Sequence, residues 1–86
     1  MAKIIMYSTW SCPFCHRAKA LLEKKKVNYQ EIRVDEHPEL REEMIARSGR
    51  RTVPQIFING QSIGGSDELH ALEASGQLDQ LLGLEE

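Results

Sequence analysis

Lys3-Ile4-Ile5-Met6-Tyr7-Ser8, followed by Thr9-Trp10-Ser11-Cys12-Pro13-Phe14-Cys15, is the stretch that decides the fold. Its first part is a short apolar run with β-branched and aromatic members, which predicts a buried strand over about residues 3–8. Pro13 then stands where a first helical residue is favoured, because the N–H it lacks would have had no partner there. Phe14, Ala18, Leu21 and Leu22 recur at helical spacing, so the helix is expected to run to about Lys26. Lys24-Lys25-Lys26 read as a solvated run complementing the negative end of the helix dipole, with Asn28 as the cap. Tyr29 to Val34 follows as a second strand, with Ile32 and Val34 in alternation. Strand, crossover helix and strand make a βαβ unit, so these two strands should be parallel and joined in the right-handed sense.

Pro38 opens a second helix carrying Leu40, Met44 and Ile45, and Gly49 ends it. Met44 reads as core filling. The second half changes character. Gln55-Ile56-Phe57-Ile58, Asn59-Gly60 and Gln61-Ser62-Ile63 are a strand, a tight turn and a strand, because Asn-Gly suits the positive φ angles of a two-residue hairpin. That pair should be antiparallel. Gly64-Gly65 break the strand, and Ser66-Asp67 are expected to cap a third helix with Leu69 and Leu72 on its buried face. Gly76 stops it, and Leu78, Leu81 and Leu82 suggest a last short amphipathic turn. The order βαβ-α-ββα, without linker or repeat, predicts a single α/β domain over 1–86 with a four-stranded mixed sheet flanked by helices.

Composition excludes several classes. At 86 residues, with 41% apolar and 28% charged residues, the chain suits one modest core rather than disorder. A formal charge of −2 gives no reason to expect nucleic acid. The apolar run after Lys3 is too short for a signal-peptide core, and no run approaches transmembrane length. No membrane partner is expected, and the simplest location is a reducing cytoplasm. A disulfide between the only two cysteines would close a very small loop, which constrains an unfolded chain little, so it is not a structural staple.

Cys12 and Cys15 therefore carry the chemistry. A thiolate at a helix start is stabilised by free backbone N–H groups and the positive end of the dipole, which makes the sulfur a working nucleophile. The same spacing also forms half of some zinc sites. No further cysteine exists, and His16, His37 and His70 lack the paired spacing such a site needs, so no metal is expected.

A Cys-x-x-Cys pair after the first strand of a βαβ pattern is the arrangement of a thioredoxin-like redox domain. Cys12-Pro13-Phe14-Cys15, Thr52-Val53-Pro54 and Gly64-Gly65-Ser66-Asp67, at these separations, make the whole chain resemble a glutaredoxin. The resemblance implies glutathione-dependent reduction of protein–glutathione mixed disulfides and protein disulfides by a monomer, with glutathione as co-substrate. Cys12, at the helix N-cap, is expected to be the nucleophile, accepting from the N–H groups of Phe14 and Cys15. Cys15, one turn further in, would be the resolving thiol. Pro54 is expected in the cis form facing the cysteines, with the Val53 backbone presented for strand-like pairing to a peptide. Ser66 and Asp67 would hold the γ-glutamyl end of glutathione, its carboxylate on backbone N–H groups and its ammonium on Asp67. Arg41 and Arg51 match positions that take the glycine carboxylate in this family, and Thr52 lies in the same loop. Phe14 replaces a tyrosine often found between the cysteines, and Thr9 stands where many members carry a lysine. Trp10 is either a substrate-facing aromatic or simple packing.

Two rival readings follow from the same residues. One is a small thioredoxin-like reductant fed by a flavoenzyme, although a thioredoxin would normally carry Gly-Pro between its cysteines. The other is an iron–sulfur carrier sharing a cluster between two subunits through Cys12 and glutathione. Members that do this usually have a small or flexible residue after the first cysteine, whereas Pro13 stiffens the loop.

Overall fold

In the computed structural model, which describes residues 2–83, the opening apolar run forms strand β1 (Ile4–Ser8), and Pro13 starts helix α1 (Pro13–Lys24). There follow β2 (Gln30–Arg33), α2 (Pro38–Ser48), β3 (Gln55–Ile58), β4 (Gln61–Gly64), α3 (Ser66–Ser75) and α4 (Gln77–Leu82). The sheet runs in the order β2-β1-β3-β4. β1 pairs in parallel with β2, placing Tyr7 opposite Ile32, and antiparallel with β3, placing Met6 opposite Ile56. β3 and β4 form the expected hairpin, with positive φ at both Asn59 and Gly60. Asn59 also ties the turn to the first strand. Its N–H donates to the Lys3 carbonyl at 2.8 Å, and its side-chain oxygen accepts from the Lys3 N–H at 2.9 Å.

Alternation along the strands divides the core in two. Ile4, Met6, Ile56 and Ile58 pack with Ala18, Leu21, Leu22, Leu69, Leu78 and Leu82, on the side of α1, α3 and α4. Tyr7 and Phe57 pack with Val34 and Met44 on the side of α2. Each fully buried side chain of this size is worth about 1.5–3 kcal/mol relative to exposure, so the larger cluster dominates. On the smaller side, Tyr7 and Phe57 meet edge to face with centroids 5.8 Å apart, and the Arg47 guanidinium lies 4.8 Å from the Phe57 centroid. The last apolar turn of the chain is helix α4, and its Leu78 and Leu82 close one end of the core.

Parts of the sequence reading differ from the structure. α1 ends at Lys24, two residues early, and Asn28 is an exposed loop residue rather than its cap. Lys26 takes the left-handed conformation instead (φ 59°). The N–H groups of Lys26 and Val27 return to the carbonyls of Glu23 and Leu22, the paired bonds of a Schellman ending. The lysine run is not merely solvated either. Lys25 Nζ lies 2.7 Å from Glu73 and 2.8 Å from Asp79, tying α1 to α3 and α4. Finally, the N-cap of α3 is Gly65, not Ser66-Asp67. Its N–H donates to Glu68 Oε1 at 2.6 Å, the return half of a capping box.

Candidate active site

Cys12 occupies the N-cap of α1 with an extended backbone, so its sulfur faces the first turn rather than projecting from the helix side. The Cys15 N–H donates to that sulfur at 3.1 Å. No bond from the Phe14 N–H accompanies it among the described residues, so one of the two expected donors is used. The Cys12 thiol in turn reaches the Val53 carbonyl, at 3.7 Å. Both thiols are free. Cys12 keeps 9% of its surface exposed and Cys15 none, so an incoming disulfide can meet only the first. Burial, then a hydrogen bond with Cys12, pushes the Cys15 thiol up to about 12, opposed by the backbone of Thr9 and the charge of Lys19.

The loop before β3 supplies the opposite wall. The Val53–Pro54 peptide bond is cis, as expected, and Pro54 is buried. Gln55, wholly buried, donates through Nε2 to the Thr52 carbonyl at 2.9 Å and to its hydroxyl at 3.2 Å, bracing the loop. Thr52, Val53 and Pro54 face Phe14, Ser66 and Asp67 across a groove of about 330 Å³. Phe14 is half exposed, so its ring forms part of the groove wall rather than core. Ser66 is buried at the start of α3, where its carbonyl accepts from His70 Nδ1 at 2.8 Å. A larger depression of about 540 Å³ between β4, α3 and α4 contains neither thiol and none of these loop residues.

The arginines divide between the groove and its surroundings. Arg41 and Arg51 do not line the groove; Arg41 donates to the Arg51 carbonyl at 3.2 Å. Arg50 lines it instead, with Nη1 3.1 Å from Glu68 Oε1. The Gly65 N–H first, and then Arg50, hold the Glu68 carboxyl below the ordinary carboxylate range against some burial. Arg50, Gly65 and Glu68 were missed from sequence. The signal available was Glu68 at the third position of a helix whose N-cap must be satisfied. Trp10 is 68% exposed and so is not core packing. Its backbone is pinned by Asp35, which accepts from its N–H at 3.2 Å, and by His16 Nε2, which donates to its carbonyl at 3.0 Å.

A partly open thiol at a helix start, a buried second thiol within one turn and an open polar groove beside them suit thiol–disulfide exchange. Among the described residues, no group of three or more His, Cys, Asp or Glu side chains is gathered to hold a metal ion.

Comparison with known proteins agrees in family. Residues 4–63 match the glutaredoxin family model. The chain is 58% identical over 82 residues to glutaredoxin 3 of Escherichia coli (strain K12), covering 95% of this chain and 99% of that protein. The solution structure of a Brucella melitensis glutaredoxin is similar, with TM-score 0.86, 51% identity, and coverage of 98% of this chain and 91% of that one. The crystal structure of a buckwheat glutaredoxin–glutathione complex matches with TM-score 0.89 and 29% identity, covering 95% of this chain and 77% of that one.

Proposed function

The chain belongs to the glutaredoxin family and is a glutathione-dependent thiol–disulfide oxidoreductase, and on that premise we propose that Cys12 is its attacking sulfur and Cys15 its resolving one. The observation that carries the assignment is the asymmetry of the pair: Cys12 sits partly open at the helix start, accepting the Cys15 N–H, while Cys15 is fully buried. The Cys12 thiolate attacks the glutathione sulfur of a glutathionylated protein. The target leaves as a thiol, and Cys12 is left joined to glutathione. A second glutathione attacks that bond, regenerating Cys12 and releasing glutathione disulfide. Alternatively, Cys15 displaces the glutathione and the internal disulfide is reopened by two further glutathiones.

Glutathione fits the groove in one sense. Its γ-glutamyl end meets the start of α3, where Ser66 and Asp67 stand, with the Asp67 carboxylate toward the ammonium. Its backbone lies along Thr52, Val53 and Pro54, pairing with Val53 as an added strand would. Phe14 covers the cysteine side, and Arg41 and Arg51 remain candidates for the far carboxylate by charge. The substrates are glutathionylated and disulfide-containing proteins. The domain spans 1–86 and works as a monomer in the cytoplasm, where a glutathione pool supplies the electrons. The relatives are glutaredoxins, which favours glutathione over a flavoenzyme as reductant.

The test is a glutathione-coupled assay on wild type and on Cys12→Ser and Cys15→Ser. Cys12→Ser should be inactive toward every substrate. Cys15→Ser should keep much of its activity on a glutathionylated peptide, because glutathione can replace the resolving thiol, and lose direct reduction of protein disulfides. Equal inactivity of the two variants toward the glutathionylated peptide would overturn the roles.

A further inference from the structure

A half-buried ion pair stands one helical turn from the resolving thiol and has no part in the steps above. Lys19 follows Cys15 by four residues on α1, so the two side chains leave the helix on the same side, one turn apart. Its ammonium is 2.6 Å from Glu31 Oε2 on β2, with about a fifth of the lysine side chain exposed. The same carboxylate oxygen accepts from the hydroxyl of Ser8, which is wholly buried on β1. Three elements thus fix one ammonium group, where a surface lysine would sweep through many rotamers. Burial works to raise the Glu31 carboxyl, but Lys19, Ser8 and the nearby Arg33 prevail and hold it below its ordinary range, so the carboxylate anchor is charged.

We propose that Lys19 is a positioning residue for the resolving step: anchored by Glu31 and Ser8, its ammonium favours the Cys15 thiolate that closes the Cys12–glutathione mixed disulfide. The inference rests on the roles given above to Cys12 and Cys15. In that step Cys15 gives its proton to solvent and its sulfur attacks Cys12 Sγ. A Cys12–Cys15 bond forms as the bond to the glutathione sulfur breaks, and glutathione leaves as a thiolate that takes up a proton. Electrons balance without any further oxidant. Forming the thiolate is the demanding part, since burial opposes charge on this sulfur and the adjacent Cys12 adds to the opposition. The groups that act on Cys15 are Cys12 and Lys19 from α1 and the Thr9 backbone. Glu31 bears on Lys19 from β2, Arg33 bears on Glu31, and Glu31 in turn bears on Tyr29. Of the groups acting on Cys15, Lys19 is the cation, one helical turn along α1.

The experiment loads Cys12 with glutathione from glutathione disulfide and follows closure by quenched-flow mass spectrometry across the neutral to alkaline range. Lys19→Gln should slow closure at neutral pH about threefold to tenfold and move its pH profile to the alkaline side, while the loading step keeps its rate. Lys19→Arg should restore the profile. Because Lys19→Gln leaves Glu31 without its partner, the double variant Lys19→Met with Glu31→Gln, which removes both charges, is run alongside and should show the same alkaline displacement. Profiles superimposable on wild type in these variants would overturn the inference. So would a loss shared equally by loading and closure at every pH, the mark of a merely structural role. Failure of the wild type to load glutathione on Cys12 would overturn the cysteine assignment itself, and the inference with it.

Discussion

The Val53 carbonyl accepts from the Cys12 thiol at 3.7 Å, across 41 residues of chain. The loop proposed to hold an extended thiol substrate and the sulfur proposed to attack it are therefore registered to each other directly. Anything that displaces one wall of the groove should be felt at the other, and the start of α3 lines the same groove.

Gly64 tests that wall. It has φ +110°, and a Cβ there would stand 2.5 Å from Glu68 Oε1, the atom that takes the Gly65 N–H and the Arg50 guanidinium. Gly60, also at positive φ, has open space around a Cβ. Gly60→Ala should cost about 1 kcal/mol of stability by urea unfolding. Gly64→Ala should cost about 3 kcal/mol, because strain and clash combine, and should also raise the KM for glutathione.

The two adjacent arginines should separate in kinetics. Arg50 lines the groove and Arg51 does not. Arg50→Gln should raise the KM for a glutathionylated peptide about threefold to tenfold, with the larger effect at low salt. Arg51→Gln, which removes one of the two candidate cations for the far carboxylate and leaves Arg41, should change it about twofold or less. Steady-state assays at two ionic strengths decide between this order and its reverse.

On the far face of the sheet, Tyr7 is wholly buried yet keeps a polar tip. Its hydroxyl donates to Glu43 at 2.7 Å and accepts from Arg47 at 2.7 Å. Burial first, and Glu43 next, hold this phenol above its ordinary range. Tyr7→Phe keeps the ring against Phe57 but breaks both bonds, and should cost about 1–2 kcal/mol in denaturant unfolding without changing the KM for glutathione.

Acid stability should depend on Asp35. Its carboxyl is depressed from 3.8 to about 2, by hydrogen bonds from Arg33 above all and with help from the Trp10 N–H. A depressed carboxyl stabilises the folded state above its ordinary value, and that contribution is lost as pH falls through the folded one. Between about 4 and about 2, the wild type should therefore lose stability faster than Asp35→Asn. Thermal melts at several pH values in that window check it, and parallel curves would remove Asp35 from the account.

Sequence made the scaffold legible wherever one local rule governed one local outcome. Pro13 at a first helical position, Asn59-Gly60 in the hairpin and Gly49 in a left-handed ending all behave that way. It failed where the outcome depends on distant partners or on side-chain direction. Lys25 looked solvated because nothing nearby in the chain announces Glu73 and Asp79. In an irregular loop, no periodicity tells whether Arg50 or Arg51 faces the groove. A glycine N-cap has no side chain to advertise itself, so Ser66 and Asp67 attracted the role by composition. Lys19 and Glu31 meet only because the parallel pairing of β1 and β2 brings β2 under α1.

The strand order leaves β2 and β4 at the two margins of the sheet. Each is only four residues long, one reading Gln30-Glu31-Ile32-Arg33 and the other Gln61-Ser62-Ile63-Gly64. Such margins are poor templates for another molecule's backbone, since they are short, polar and, in β2, charged. A stray extended backbone therefore finds little to pair with at either margin, which guards the folded protein against edge-to-edge association.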